Sequence, residues 1–115
     1  MQRPTVCAEA ERQSLTAGVG QKKETFVQTF SELPISPYTQ ERLSAGGFAI
    51  PTAVQAVAIP PALVGQDVLA TAQTGTGKTL AFVIPIIERL LQQPKALGII
   101  ALVMVPTREL AMQVN

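Results

Sequence analysis

The sequence predicts an α/β chain built on a parallel sheet. Three observations predict it. Two apolar runs of strand length, Asp67-Val68-Leu69-Ala70-Thr71 and Ile99-Ile100-Ala101-Leu102-Val103-Met104-Val105, stand on either side of a helical pattern. In that pattern Leu80, Val83, Ile84, Ile87, Leu90 and Leu91 recur at i, i+3, i+4, i+7, i+10 and i+11, one face of a helix. The second run carries no polar residue, as in a strand covered by helices on both faces. A β–α–β order of this kind implies a doubly covered parallel sheet.

The turn between the first strand and the helix is Ala72-Gln73-Thr74-Gly75-Thr76-Gly77-Lys78-Thr79. It reads as a phosphate-binding loop, and strand, glycine-rich turn and helix are the context such a loop requires. Backbone N–H groups in a tight turn at the positive end of a helix suit the oxygens of a nucleoside triphosphate. Gly75 and Gly77 permit backbone angles and a close approach that a Cβ hinders. Lys78 offers an ammonium to the β- and γ-phosphates, and Thr79 a hydroxyl to Mg²⁺. The strict pattern G-x-x-x-x-G-K-[ST] has glycine where this chain has Ala72.

Length and composition bound the rest. The 115 residues suffice for one small domain. Apolar residues make up 47% and charged ones 15%, which favours a buried α/β core over a disordered chain. A net charge of +1 supplies no global basic field, so any nucleic-acid contact must be local. The one cysteine, Cys7, has no internal disulfide partner. No apolar run reaches membrane-spanning length, and the N-terminus lacks the apolar core of a secretory signal. The expected compartment is the cytoplasm, with the nucleus left open.

In chain order, residues 1–25 are polar and without period, and read as a flexible tail. Phe26, Val27, Phe30 and Leu33 then read as apolar anchors that dock this linker on the domain. Ser36-Pro37 is an N-cap followed by proline at the first helical position, and the helix runs to about Ala45 before Gly46-Gly47 stops it. Thr52-Ala53-Val54-Gln55 fits a capping box, with Val54, Val57 and Ala58 on one face of the helix it starts. Pro60-Pro61 is expected to interrupt that helix, which restarts at Ala62-Leu63-Val64 and ends at Gly65. In the helix after the phosphate loop, Pro85 is expected to kink rather than stop it. Pro106-Thr107 ends the second strand, and Arg108 opens another helix.

Three segments now combine. Gly47-Phe48-Ala49-Ile50-Pro51-Thr52-Ala53-Val54-Gln55 resembles the Q motif of the DEAD-box RNA helicases, with Phe30 upstream at the spacing of that family's isolated aromatic. Residues 72–79 resemble the family's own phosphate loop, A-x-T-G-x-G-K-T, which accounts for Ala72. Pro106-Thr107-Arg108-Glu109-Leu110-Ala111 resembles motif Ia. The resemblance covers about residues 26–115 and implies the first part of an ATP-binding RecA-like domain, truncated after its second core strand. It implies that Phe30 stacks on the adenine and that Gln55 reads its edge, an amide being able to donate to N7 and accept from the exocyclic amine. Capping of its own helix is the competing role of Gln55. Thr74, Gly75, Thr76, Gly77, Lys78 and Thr79 would hold the phosphates, with Lys78 and Thr79 the catalytic candidates and Thr79 the Mg²⁺ ligand. Pro106, Thr107 and Arg108 would contact the backbone of single-stranded or duplex RNA. A surface ion pair to Glu41 or Glu109 is the competing role of Arg108.

The departures from the family pattern are equally specific. The chain has no Asp-Glu-Ala-Asp, no Ser-Ala-Thr and no second domain with its arginines. In the family, strands from later in the chain lie between the phosphate-loop strand and the motif Ia strand. The resemblance therefore implies part of an ATP-dependent RNA helicase, inactive by itself. Two other readings compete: a small nucleotide kinase or GTPase, which has no use for residues 47–55 or 106–111, and a non-catalytic nucleotide- or RNA-binding fragment.

Overall fold

The computed structural model describes residues 5–9, 27–93, 95 and 97–114. Two strands, a short 3₁₀ turn and four α-helices make up the described elements. Strand β1 is Thr5–Glu9 and β2 is Asp67–Thr71. They pair in parallel, Thr5 opposite Asp67 and Glu9 opposite Thr71.

Helix α1, Pro37–Ala45, begins as its sequence requires. Ser36 caps it by accepting the Thr39 N–H at 3.3 Å, and Pro37 takes the first position, where no N–H is needed. Its end uses both glycines: Gly46 closes the last turn, and Gly47 takes the left-handed angle (φ 79°) that lets the chain leave the helix. Helix α2 is Ala53–Leu63 and α3 is Lys78–Gln92, which passes through Pro85 without stopping. Helix α4 is Arg108–Val114.

The core lies where α1, α2 and α3 meet the 3₁₀ turn Phe30–Glu32. Phe30, Leu33, Ile35, Leu43, Ile59 and Ile84 form it, with Val27, Leu63 and Leu80 at its margin. Phe30 and Leu33 thus dock this stretch on the domain as expected, and Phe26 lies outside the described residues.

Three expectations are corrected. The tail assigned to residues 1–25 contains β1; the remainder of that segment lies outside the described residues. An edge of β2 presents a row of N–H and C=O groups, and the backbone of Thr5–Glu9 satisfies it. Pro60 and Pro61 do not break α2. They leave the carbonyls of Ala56 and Val57, four residues back, without a helical donor, but Ala58 and Ile59 just before them are buried and hold the helix in place. Residues 99–105 form no strand: Ile99, Leu102 and Met104 are largely exposed. A strand exists only through a neighbour's hydrogen bonds, and among the described residues no strand pairs with this run.

Candidate nucleotide site

Strand β2 delivers the chain to the phosphate loop, and α3 begins within it. Gly75 (φ 82°) and Gly77 (φ 79°) both take left-handed angles, so the glycines stand where the backbone demands them. Gly77 is fixed twice, because a Cβ there would also run into the amide of Gln55. The Thr76 hydroxyl donates to the carbonyl of Gln73 at 2.6 Å. Lys78 Nζ donates to the carbonyl of Ala72 at 2.6 Å, so the ammonium reaches back across the loop to its first residue. Lys78 and Thr79 are both exposed at the start of α3.

Gln55 joins the second segment to this loop. It is 3% exposed, and both ends of its amide are engaged. Its Oε1 accepts the Thr52 N–H at 2.9 Å, and its Nε2 donates to the Gly77 carbonyl at 2.9 Å. The capping bond is therefore made together with a bond to the phosphate loop, because the two amide atoms serve different partners.

Two clefts flank this arrangement. One, of about 1030 Å³, is lined by Thr74, Gly75, Gly77, Lys78 and Thr79 at its polar end. Val68 and Ala70 of β2, Val54 and Ala58 of α2, and Phe82 of α3 make its apolar wall. The other, of about 610 Å³, lies between Phe30, the loop Gly47, Phe48 and Ala49, and the α1 residues Pro37, Gln40, Glu41 and Ser44. Phe30 is 4% exposed, so it serves the core and presents only a margin to this cleft. Its N–H donates to the Ala49 carbonyl at 3.4 Å, which ties it to the segment leading into Thr52 and α2.

Pro106, Thr107 and Arg108 are exposed at the start of α4, and Thr107 Oγ1 accepts the Leu110 N–H at 3.3 Å. They line neither cleft, although Val105 and Leu110 on either side of them border the phosphate-loop cleft.

Glu88 did not stand out in the sequence and is buried, 5% exposed. Its Oε2 accepts the Ser36 N–H at 2.9 Å, and its Oε1 accepts the Ser36 hydroxyl at 2.8 Å and the hydroxyl of Thr39. The signal was present: Ala81, Ile84 and Glu88, at i, i+3 and i+7, are the buried residues of α3, so a carboxylate stands at a core-facing position.

A triphosphate fits what is here. The loop has the left-handed glycines, an ammonium and a free helix start, the donor set for phosphate oxygens. Thr79 supplies one hydroxyl toward Mg²⁺, an ion that commonly takes one or two protein ligands and completes its shell with phosphate and water.

A parallel β–loop–α unit with this loop defines a P-loop nucleotide-binding protein. The family model for the DEAD/DEAH box helicases matches residues 52–115, more than half of the chain, and the chain belongs to that family. It is 51% identical over 88 residues to the ATP-dependent RNA helicase DRS1 of Lodderomyces elongisporus, which covers 76% of this chain and 13% of that protein. It is 53% identical over 91 residues to the ATP-dependent RNA helicase SrmB of Escherichia coli, covering 77% of this chain and 20% of that one. With the ATP-dependent RNA helicase DBP4 of Coccidioides immitis it shares 44% over 109 residues, 92% of this chain and 14% of the relative. The chain thus spans a fifth or less of the length of these relatives. The kinase or GTPase reading is not favoured by these matches. Among the described residues no helix is long and apolar enough to cross a membrane.

Proposed function

We propose that this chain is the nucleotide- and RNA-contacting first part of an ATP-dependent RNA helicase. Residues 26–115 belong to its RecA-like ATP-binding domain, and Thr5–Glu9 pairs with Asp67–Thr71 in the same sheet. The carrying observation is the Gln55–Gly77 bond, which couples residues 47–55 to the phosphate loop.

ATP lays its phosphates along Thr74, Gly75, Thr76 and Gly77, with Lys78 on the β- and γ-oxygens. For this Lys78 exchanges its Ala72 carbonyl for phosphate, a charge-assisted and stronger partner. Thr79 would be the protein ligand of Mg²⁺, which when bound would neutralise phosphate charge. The adenine occupies the cleft at Phe30, with the edge of the base read by Gln55 once its amide exchanges a protein partner for the base. Pro106, Thr107 and Arg108 hold the RNA backbone, since an exposed arginine contacts phosphate without reading sequence. Such a protein works where its RNA is, in the cytoplasm or nucleus.

The test is competition of ATP against GTP for the folded chain. Preferential displacement by ATP is expected, and equal displacement by both would overturn the reading of residues 47–55 as a base reader.

A further inference from the structure

Helix α3 carries two things on one rigid rod. Lys78 and Thr79 stand at its start, and Glu88 stands ten residues on, about 15 Å along the axis. Glu88 grips the start of α1, through the Ser36 N–H, the Ser36 hydroxyl and the Thr39 hydroxyl. Helix α1 in turn supplies Pro37, Gln40, Glu41 and Ser44 to the cleft at Phe30.

The attachment of α1 is otherwise thin. Only Thr39 and Leu43 of its nine residues are buried. Thr39 (4% exposed) and Glu88 are sealed from water, so their hydrogen bonds act at low dielectric and at full strength. The phosphate loop is held by other bonds, Gln55 to Gly77 and Lys78 to Ala72, and neither involves Glu88.

We propose that Glu88 is a positioning residue for the base end of the nucleotide site: its carboxylate locks α1, one wall of the Phe30 cleft, to the helix that begins at the phosphate loop. The inference rests on the reading of that cleft as the seat of the nucleobase. Without the lock, α1 samples other placements, and apparent affinity falls by the fraction of time the cleft is formed. The loss falls on the base and spares the phosphates.

Calorimetric titration of the whole 115-residue chain with ATP and with inorganic tripolyphosphate separates the two. Glu88→Gln keeps the side-chain volume and loses one of the two accepting oxygens. It should lose about tenfold in ATP affinity, with tripolyphosphate affinity unchanged. Thr39→Val should act in the same direction and Thr39→Ser, which restores the hydroxyl, should recover wild-type ATP affinity; this pair decides the matter if Glu88→Gln does not fold. Equal losses for both ligands, or none for ATP, would overturn the proposal. A wild-type chain that binds tripolyphosphate as well as ATP would remove the base-cleft reading itself, and this inference with it. A wild-type chain that prefers ATP, beside a Glu88→Gln chain that prefers it equally, removes the Glu88 role alone.

Discussion

The side-chain amide of Gln55 donates to the backbone carbonyl of Gly77 at 2.9 Å while accepting the N–H of Thr52. One buried side chain therefore caps α2 and braces the phosphate loop. Gln55→Ala removes both bonds. It should cost about 1 kcal/mol for the cap and a further 1–3 kcal/mol, roughly, for a carbonyl left without its donor. Thermal unfolding reads that loss. The ATP-over-GTP preference should fall as well, and a preference that survives the stability loss would leave Gln55 as a cap and brace only.

Gly77 is the partner that cannot change. Its φ of 79° is a left-handed angle that costs an L-residue about 1–2 kcal/mol, and a Cβ would displace the Gln55 amide. Gly77→Ala should therefore lower the melting temperature by more than Gln55→Ala does. Gly75→Ala meets the same angle but open space, so it should cost less than Gly77→Ala. Equal melting temperatures for the two alanine variants would show that the contact with Gln55 carries no energy.

Lys78 is poised rather than packed: it is exposed, and its one described bond is to the loop itself. Lys78→Ala should leave the fold intact and weaken ATP binding by roughly 1.5–3 kcal/mol, the value of a hydrogen bond to a charged group. Calorimetric titration with ATP checks this, and unchanged affinity would refute the assignment of the phosphate loop.

Arg108 tests the RNA reading. Single-stranded RNA binding should weaken evenly across sequences in Arg108→Ala. The slope of log affinity against log salt should shrink by about 0.7, one phosphate contact. A loss confined to one RNA sequence, with the slope unchanged, would argue against backbone contact here.

Much of this arrangement was legible because local chemistry dictates it. Ser36-Pro37, Gly46-Gly47 and Thr52-to-Gln55 are cap signals whose partners lie within a few residues, and all three mark helix ends in the structure. The phosphate loop was legible for the same reason. What was not legible depends on partners far along the chain. Glu88 reaches Ser36 across 52 positions, and nothing local to Ile87-Glu88-Arg89 announces it except its place on the buried face. Thr5–Glu9 is a strand only because β2 offers an edge, and residues 99–105 have strand composition without a neighbour to pair with. Pro60 and Pro61 were weighed by their local cost, whereas the burial of Ile59 decided the outcome.

The chain by itself should not hydrolyse ATP. Phosphoryl transfer is catalysed by positioning and by charge placed where charge develops, so each missing group removes a term that the rest cannot supply. In the proposed reading Lys78 would hold phosphate and Thr79 would offer its hydroxyl to Mg²⁺. Residues 80–115 contain no adjacent acidic pair to complete a metal site and orient water. Among the described residues no group of three His, Cys, Asp or Glu side chains is gathered to hold an ion. Binding can survive such a deficit, because the loop donors remain, and turnover cannot. Purified residues 1–115 should therefore bind ATP weakly and release no phosphate above background, with or without RNA. Phosphate release that RNA stimulates and Lys78→Ala abolishes would show that the groups in this chain suffice for catalysis.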